Sequence, residues 1–196
     1  MGEPTSGYAP VNGLEMYWES FGAEGPPLVV VHGGYGLIST MAPLIDVLAE
    51  DHRVVGIEVQ GHGHTGDIDR PFTYEAFGDD IAALIEHLDL GQVDLFGYSL
   101  GACSCLRAAI QHPELVRKLA VVSVPCRRDG WFPEVRAAFD QMGSAGFEYL
   151  KHSPMYEAYA KVAPDPDAFP ALMDKMGQLQ RRDYDWSDEI GKVSAH

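Results

Sequence analysis

Apolar residues fall along this chain in two alternating rhythms. Leu28–Val31, Arg53–Val59, Gln92–Phe96 and Leu119–Val124 are short and rich in apolar side chains, and they predict strands buried on both faces. Between them the apolar positions recur at helical spacing. Met41, Leu44, Ile45 and Leu48 form one stripe. Phe77, Ile81, Leu84, Ile85 and Leu88 form another along Tyr74–Leu88, with Glu75, Asp79, Asp80 and Glu86 turned away from it. A third helix is predicted over Ala102–Gln111. Asn12-Gly13, a strong two-residue turn pair, leads into a further strand over Leu14–Ser20. Buried strands alternating with amphipathic helices predict an α/β fold, a mostly parallel sheet with helices on both faces.

The rhythm changes after Val124. From Arg127 to Ser187 no strand is apparent, and helices are predicted over Phe132–Met142, Phe147–Val162 and Asp167–Arg182, with Pro164-Asp165-Pro166 breaking the run. The chain therefore divides into a core at 1–126 with six strands, a helical segment at 127–187, and the start of a link back to the core at 188–196. Neither repeats nor low-complexity tracts are visible.

Composition narrows the functional classes. A chain of 196 residues, 46% of them hydrophobic, can bury one sizeable core. Its formal charge of −15 argues against nucleic acid and against an anionic membrane surface as partners. No apolar run approaches the roughly 20 residues needed to span a bilayer. Met1 is followed by Gly-Glu-Pro-Thr-Ser-Gly, with neither a basic start nor an apolar stretch, so no signal peptide is expected. The cysteines are Cys103, Cys105 and Cys126. Two of them lie two apart on a predicted helix and point in different directions, which disfavours a disulfide scaffold and suggests a cytoplasmic protein. Buried thiols packing that helix on the sheet are a simpler reading than a Cys-Ser-Cys metal or redox site.

The most informative chemistry lies at Gly97-Tyr98-Ser99-Leu100-Gly101, between a predicted strand and a predicted helix. A turn this tight requires residues nearly free of side chains two places before and after the serine. It forces the serine into a strained conformation that exposes its hydroxyl, with helix N-terminal amides nearby. Upstream, Val31-His32-Gly33-Gly34-Tyr35-Gly36 is a glycine-rich loop following a strand, and Gly61-His62-Gly63-His64-Thr65 is a turn following the next one. These three motifs, in this order and spacing, resemble the alpha/beta-hydrolase superfamily, in particular its serine esterases and lactonases. The resemblance covers essentially the whole chain, matching about the N-terminal two-thirds of such a hydrolase. It implies that Ser99 is the nucleophile, that the amides of Gly34 and Leu100 form an oxyanion hole, and that 127–187 is a helical cap. It further implies a small ester or lactone as substrate, with no cofactor and no metal. A serine at this position argues against the dehalogenases of the same fold, which use aspartate.

The resemblance also places a catalytic acid after a seventh strand and a histidine after an eighth, whereas the sequence given runs to His196. Both triad partners are absent from their expected positions, so the fold is expected to be C-terminally incomplete and the chain a weak or inactive hydrolase as it stands. Substitutes are few. His112 falls at the far end of the elbow helix, His152 lies in the helical segment, and His196 is terminal. Asp129 is the best in-chain acid, and it needs a histidine to be of use. His62 and His64 with Asp67 and Asp69 resemble a metal cluster on paper, and a structural turn explains them more simply. Two alternatives stay open: a non-catalytic small-molecule binding protein on a hydrolase scaffold, or part of an enzyme completed by a second polypeptide. The strand Leu119–Val124, an apolar edge with neither proline nor lysine, is expected to promote self-association or to recruit a strand-completing partner.

Overall fold

The computed structural model describes residues 4–22 and 25–195. Six strands form one sheet in the order β1-β2-β4-β3-β5-β6. They are β1 (Thr5–Val11), β2 (Leu14–Phe21), β3 (Pro27–Val31), β4 (Arg53–Ile57), β5 (Val93–Tyr98) and β6 (Val116–Val122). The first two form a hairpin closed by Asn12 at φ 48° and Gly13 at φ 87°, the paired positive values that match the twist of the flanking strands. β2 runs antiparallel to β4, and the remaining four strands are parallel. Leu28–Val31 of β3 pairs with Asp94–Gly97 of β5, so the loops after these two strands emerge side by side.

Alternation along the parallel strands splits the core in two. Val29 and Val31 join the larger cluster with α2 (Tyr74–His87) and α3 (Leu100–Gln111), while Leu28 and Val30 pack with Ile45 of α1 (Ala42–Leu48). Helices thus cover both faces. α2 crosses α3 closely because Gly78 leaves room: a methyl group there would lie 2.9 Å from the Ala108 amide nitrogen. Cys103 and Cys105 are buried on α3 as free thiols.

After β6 the chain is helical: α4 (Pro133–Asp140), α5 (Phe147–Leu150), α6 (Pro154–Val162) and α7 (Phe169–Arg181). An isolated bridge between Arg127 and Asp185 ties the two ends of this segment together. Among the described residues no helix is long and apolar enough to cross a membrane.

Two expectations are corrected. The single helix expected over Phe147–Val162 is two, because Pro154 cannot donate within a helix interior and instead opens α6, with the Ser153 side chain accepting from the Tyr156 amide at 3.3 Å. The last strand is Val116–Val122 rather than Leu119–Val124, so it contains Arg117 and Lys118. Arg117 makes a two-pronged ion pair with Asp94 on β5, 2.8 Å at each contact, which holds the earlier register. The edge is therefore not free of lysine: Lys118 is exposed on it.

Candidate active site

The turn at Ser99 is shaped by its two glycines. A methyl group on Gly97 would lie 2.4 Å from the Gly101 carbonyl oxygen, and one on Gly101 would lie 2.3 Å from that of Val31. Hydrogen alone fits at either place. Between them Ser99 takes φ 52° and ψ −112°, a conformation that strains any residue with a side chain. The Ser99 amide donates to the Val122 carbonyl at 2.9 Å, and its carbonyl accepts from Cys103 at 3.0 Å to begin α3. Ser99 is half-buried, and the first amides of α3 have no partner within the helix.

The glycine-rich loop after β3 lies against this turn, as neighbouring parallel strands require. Gly33 approaches the Tyr98 ring so closely that a methyl group there would sit 2.9 Å from Cδ1. Gly34, one of the two expected oxyanion-hole residues, is covered by α7: its missing methyl would meet Met176 Cε at 2.8 Å. Leu100, the other, is buried. Tyr35 has φ 58°, strained for an aromatic residue, and packs its ring on Phe169 of α7 at 5.7 Å between centroids. Its hydroxyl is buried without a hydrogen-bond partner, and burial pushes it up to about 12.

A cavity of about 410 Å³ opens beside the elbow. The Gly33–Gly36 loop, Met41 and Tyr98 form one side of it, and Met155 and Ala158 of α6 the other. Ser99 does not line this cavity; its neighbour Tyr98 does.

The histidines are engaged elsewhere. His32 Nδ1 lies 2.7 Å from the Gly33 carbonyl, and His62 Nδ1 lies 3.0 Å from that of Gln60. Both rings are fully buried, which holds them neutral: desolvation carries His62 down to about 3 and moves His32 in the same direction. His112 pairs with Asp79 at 2.8 Å at the far end of α3. His152 is exposed in the turn before α6, and His196 lies outside the described residues. Among the described residues no histidine hydrogen-bonds the Ser99 hydroxyl. Asp129 is exposed and paired with Arg127, whose guanidinium lowers its pKa.

The grouping of His62, His64, Asp67 and Asp69 separates in space into unrelated partners. Asp67 pairs with Lys175 of α7 at 2.6 Å, and His64 Nδ1 lies 2.9 Å from Glu58. Glu58 is the residue that sequence reasoning missed. Its buried carboxylate accepts from the Ile38 amide at 3.1 Å and the His64 amide at 2.6 Å, pinning the His-Gly turn to the start of the helical stretch after the glycine loop. One signal was available: an acidic side chain inside an otherwise apolar strand stretch needs buried partners.

Comparison with known proteins agrees with this architecture. A sequence profile described as alpha/beta hydrolase fold matches residues 26–149. A 2-(acetamidomethylene)succinate hydrolase of Mesorhizobium japonicum is 36% identical over 146 residues, covering 72% of this chain and 51% of that protein. A pimeloyl-[acyl-carrier protein] methyl ester esterase of Aeromonas hydrophila is 32% identical over 139 residues, covering 66% of this chain and 52% of the esterase. The crystal structure of an E-2-(acetamidomethylene)succinate hydrolase superposes with a TM-score of 0.77 at 22% identity, covering 98% of this chain and 78% of the other. The chain spans about a third to a half of the length of the curated relatives it matches. With a mostly parallel sheet, a strained serine turn between glycines and a profile match over most of its length, the chain belongs to the alpha/beta hydrolase family.

Proposed function

We propose that Ser99 is the nucleophile of a hydrolase acting on a small carboxylic ester or lactone. The observation that carries this reading is the backbone of Ser99, held at φ 52° between two glycines that admit no side chain, at the head of α3. Strain of this kind persists only where the surroundings enforce it, and it presents a hydroxyl to the helix N-terminus. Ser99 Oγ adds to the substrate carbonyl and its proton passes to a base. The carbonyl oxygen becomes an oxyanion, received by the amides of Leu100 and Gly34. The tetrahedral adduct expels the alcohol, and water then releases the acid from the acyl-serine. The segment 127–187 serves as a cap over this site. No cofactor takes part. The free cysteines fit a cytoplasmic protein.

A serine without a hydrogen-bonded imidazole is a poor nucleophile, and what remains is the modest catalysis an oxyanion hole supports. Among the described residues none supplies that imidazole, so residues 1–196 by themselves hydrolyse slowly, and an imidazole supplied from outside them restores the rate. Among the described residues β6 pairs on the β5 side only and exposes Val122, and its other edge is where a further strand or a second copy adds. A fluorophosphonate probe should label Ser99 slowly, added imidazole should accelerate it, and Ser99→Ala should abolish it. Labelling at another residue, or none after prolonged incubation with imidazole, overturns the assignment. Light scattering that shows a monomer at all concentrations overturns the edge-pairing part.

A further inference from the structure

We propose that the cavity beside Ser99 binds the uncharged, unbranched hydrocarbon arm of the substrate and rejects arms that carry a carboxylate, with Met155 and Ala158 setting the arm's length. This rests on the reading of Ser99 as nucleophile. The cavity, at about 410 Å³, is within the range of small-molecule sites, and no charged side chain lines it. Its side-chain polar atoms are three neutral hydroxyls, those of Tyr35, Thr40 and Tyr98, and none is a cation. The Thr40 hydroxyl donates to the Leu37 carbonyl at 2.6 Å and accepts from the Leu37 amide at 3.2 Å. The Tyr35 hydroxyl is buried away from solvent. A carboxylate placed here would lose its hydration and gain no cation to pair with, which a buried charge tolerates poorly.

The walls suit a flexible chain. Met41 and Met155 face the cavity from α1's N-terminal side and from α6, and thioether side chains adapt to an aliphatic partner with little strain. Ala158 stands one helical turn beyond Met155 on the same wall, where its small side chain leaves depth. Tyr98, 46% exposed and adjacent to Ser99, marks the mouth through which the arm passes from the reacting carbonyl.

Methyl ketones test this without requiring turnover. Protein labelled with ¹³C at its methionine methyls is titrated with 2-hexanone, 2-octanone, 2-decanone and 9-oxodecanoate. The Met41 and Met155 resonances should shift with the neutral ketones, with affinity rising about fourfold per added methylene until the cavity is full. The carboxylate analogue should bind at least tenfold more weakly than 2-decanone. Ala158→Phe should weaken 2-decanone at least tenfold while sparing 2-hexanone. Met155→Lys should invert the preference towards 9-oxodecanoate, and it serves if the first variant does not fold. Equal binding of neutral and charged ketones, shifts at other methionines, or no response to either folded variant overturns the proposal. Ser99→Ala should keep 2-decanone binding while losing fluorophosphonate labelling. Ketone binding intact in a wild-type chain that cannot be labelled faults the nucleophile alone.

Discussion

Replacing Ser99 by glycine separates the conformational cost of the elbow from its chemistry. A residue with a side chain at φ 52° carries on the order of 1–3 kcal/mol of strain. Glycine removes that strain and gives back part of the gain as unfolded-state entropy. Ser99→Gly should therefore raise stability by about 1 kcal/mol in urea unfolding while eliminating probe labelling. Ser99→Ala should leave stability nearly unchanged. The buried imidazoles make an opposite kind of demand. His62 must stay neutral in the fold, where its pKa lies at about 3, and it titrates near 6.5 once unfolded. Between these values the unfolded chain binds more protons, so stability is complete above about pH 6.5 and falls as the pH drops. His32 adds to the same loss. His62→Leu should remove up to one proton from the slope, about 1.4 kcal/mol per pH unit, measured by urea unfolding between pH 6 and 4. An unchanged slope would mean the ring is protonated inside the fold.

Pairs of elements show where periodicity suffices and where it fails. Gly78→Ala should add about 1 kcal/mol of helix propensity to α2 and cost more in overpacking, since the new methyl would sit 2.9 Å from the Ala108 nitrogen. A net loss of about 1 kcal/mol is expected; a gain would show that α2 and α3 part freely. No spacing rule exposes that crossing. Strands β2 to β5 and the helices α1 to α3 were legible because each buries an apolar face, whereas β1, whose first residues are exposed, and the order of strands across the sheet were not. The Ser99 turn was legible because its sterics are local, with Gly97 and Gly101 close enough to print the geometry into five residues. β6 begins three residues before its expected start because Arg117 finds its partner, Asp94, only across the sheet, a contact that hydrophobic periodicity does not register. Pro154 was visible inside the expected long helix, and taking it as a break would have divided α5 from α6. The pairing of Tyr35 with Phe169 and of Gly34 with Met176 had no sequence signal, because both are contacts between distant elements with no shared period.

Those last contacts make the molecule one mechanical unit. Phe169 is fully buried, with rings of Tyr159 at 4.9 Å, Tyr156 at 5.1 Å and Tyr35 at 5.7 Å around it. Lys175 extends the same seam, reaching Asp67 at 2.6 Å on the core side. Phe169→Ala should cost about 3–5 kcal/mol and, in hydrogen exchange, loosen residues 33–36 together with α7, although they lie far apart in sequence. Loosening of α7 alone would break the link. The seat of Tyr35 on α7 also bears on how such proteins can be built by recombination. A backbone held at φ 58° by a ring in a distant helix has no local sequence to hold it there. Positions 34, 35, 169 and 176 thus depend on one another for their shape. A chimera that imports its helical segment from another family member should need the matching loop as well, or residues 33–36 will relax out of shape while the fold itself survives.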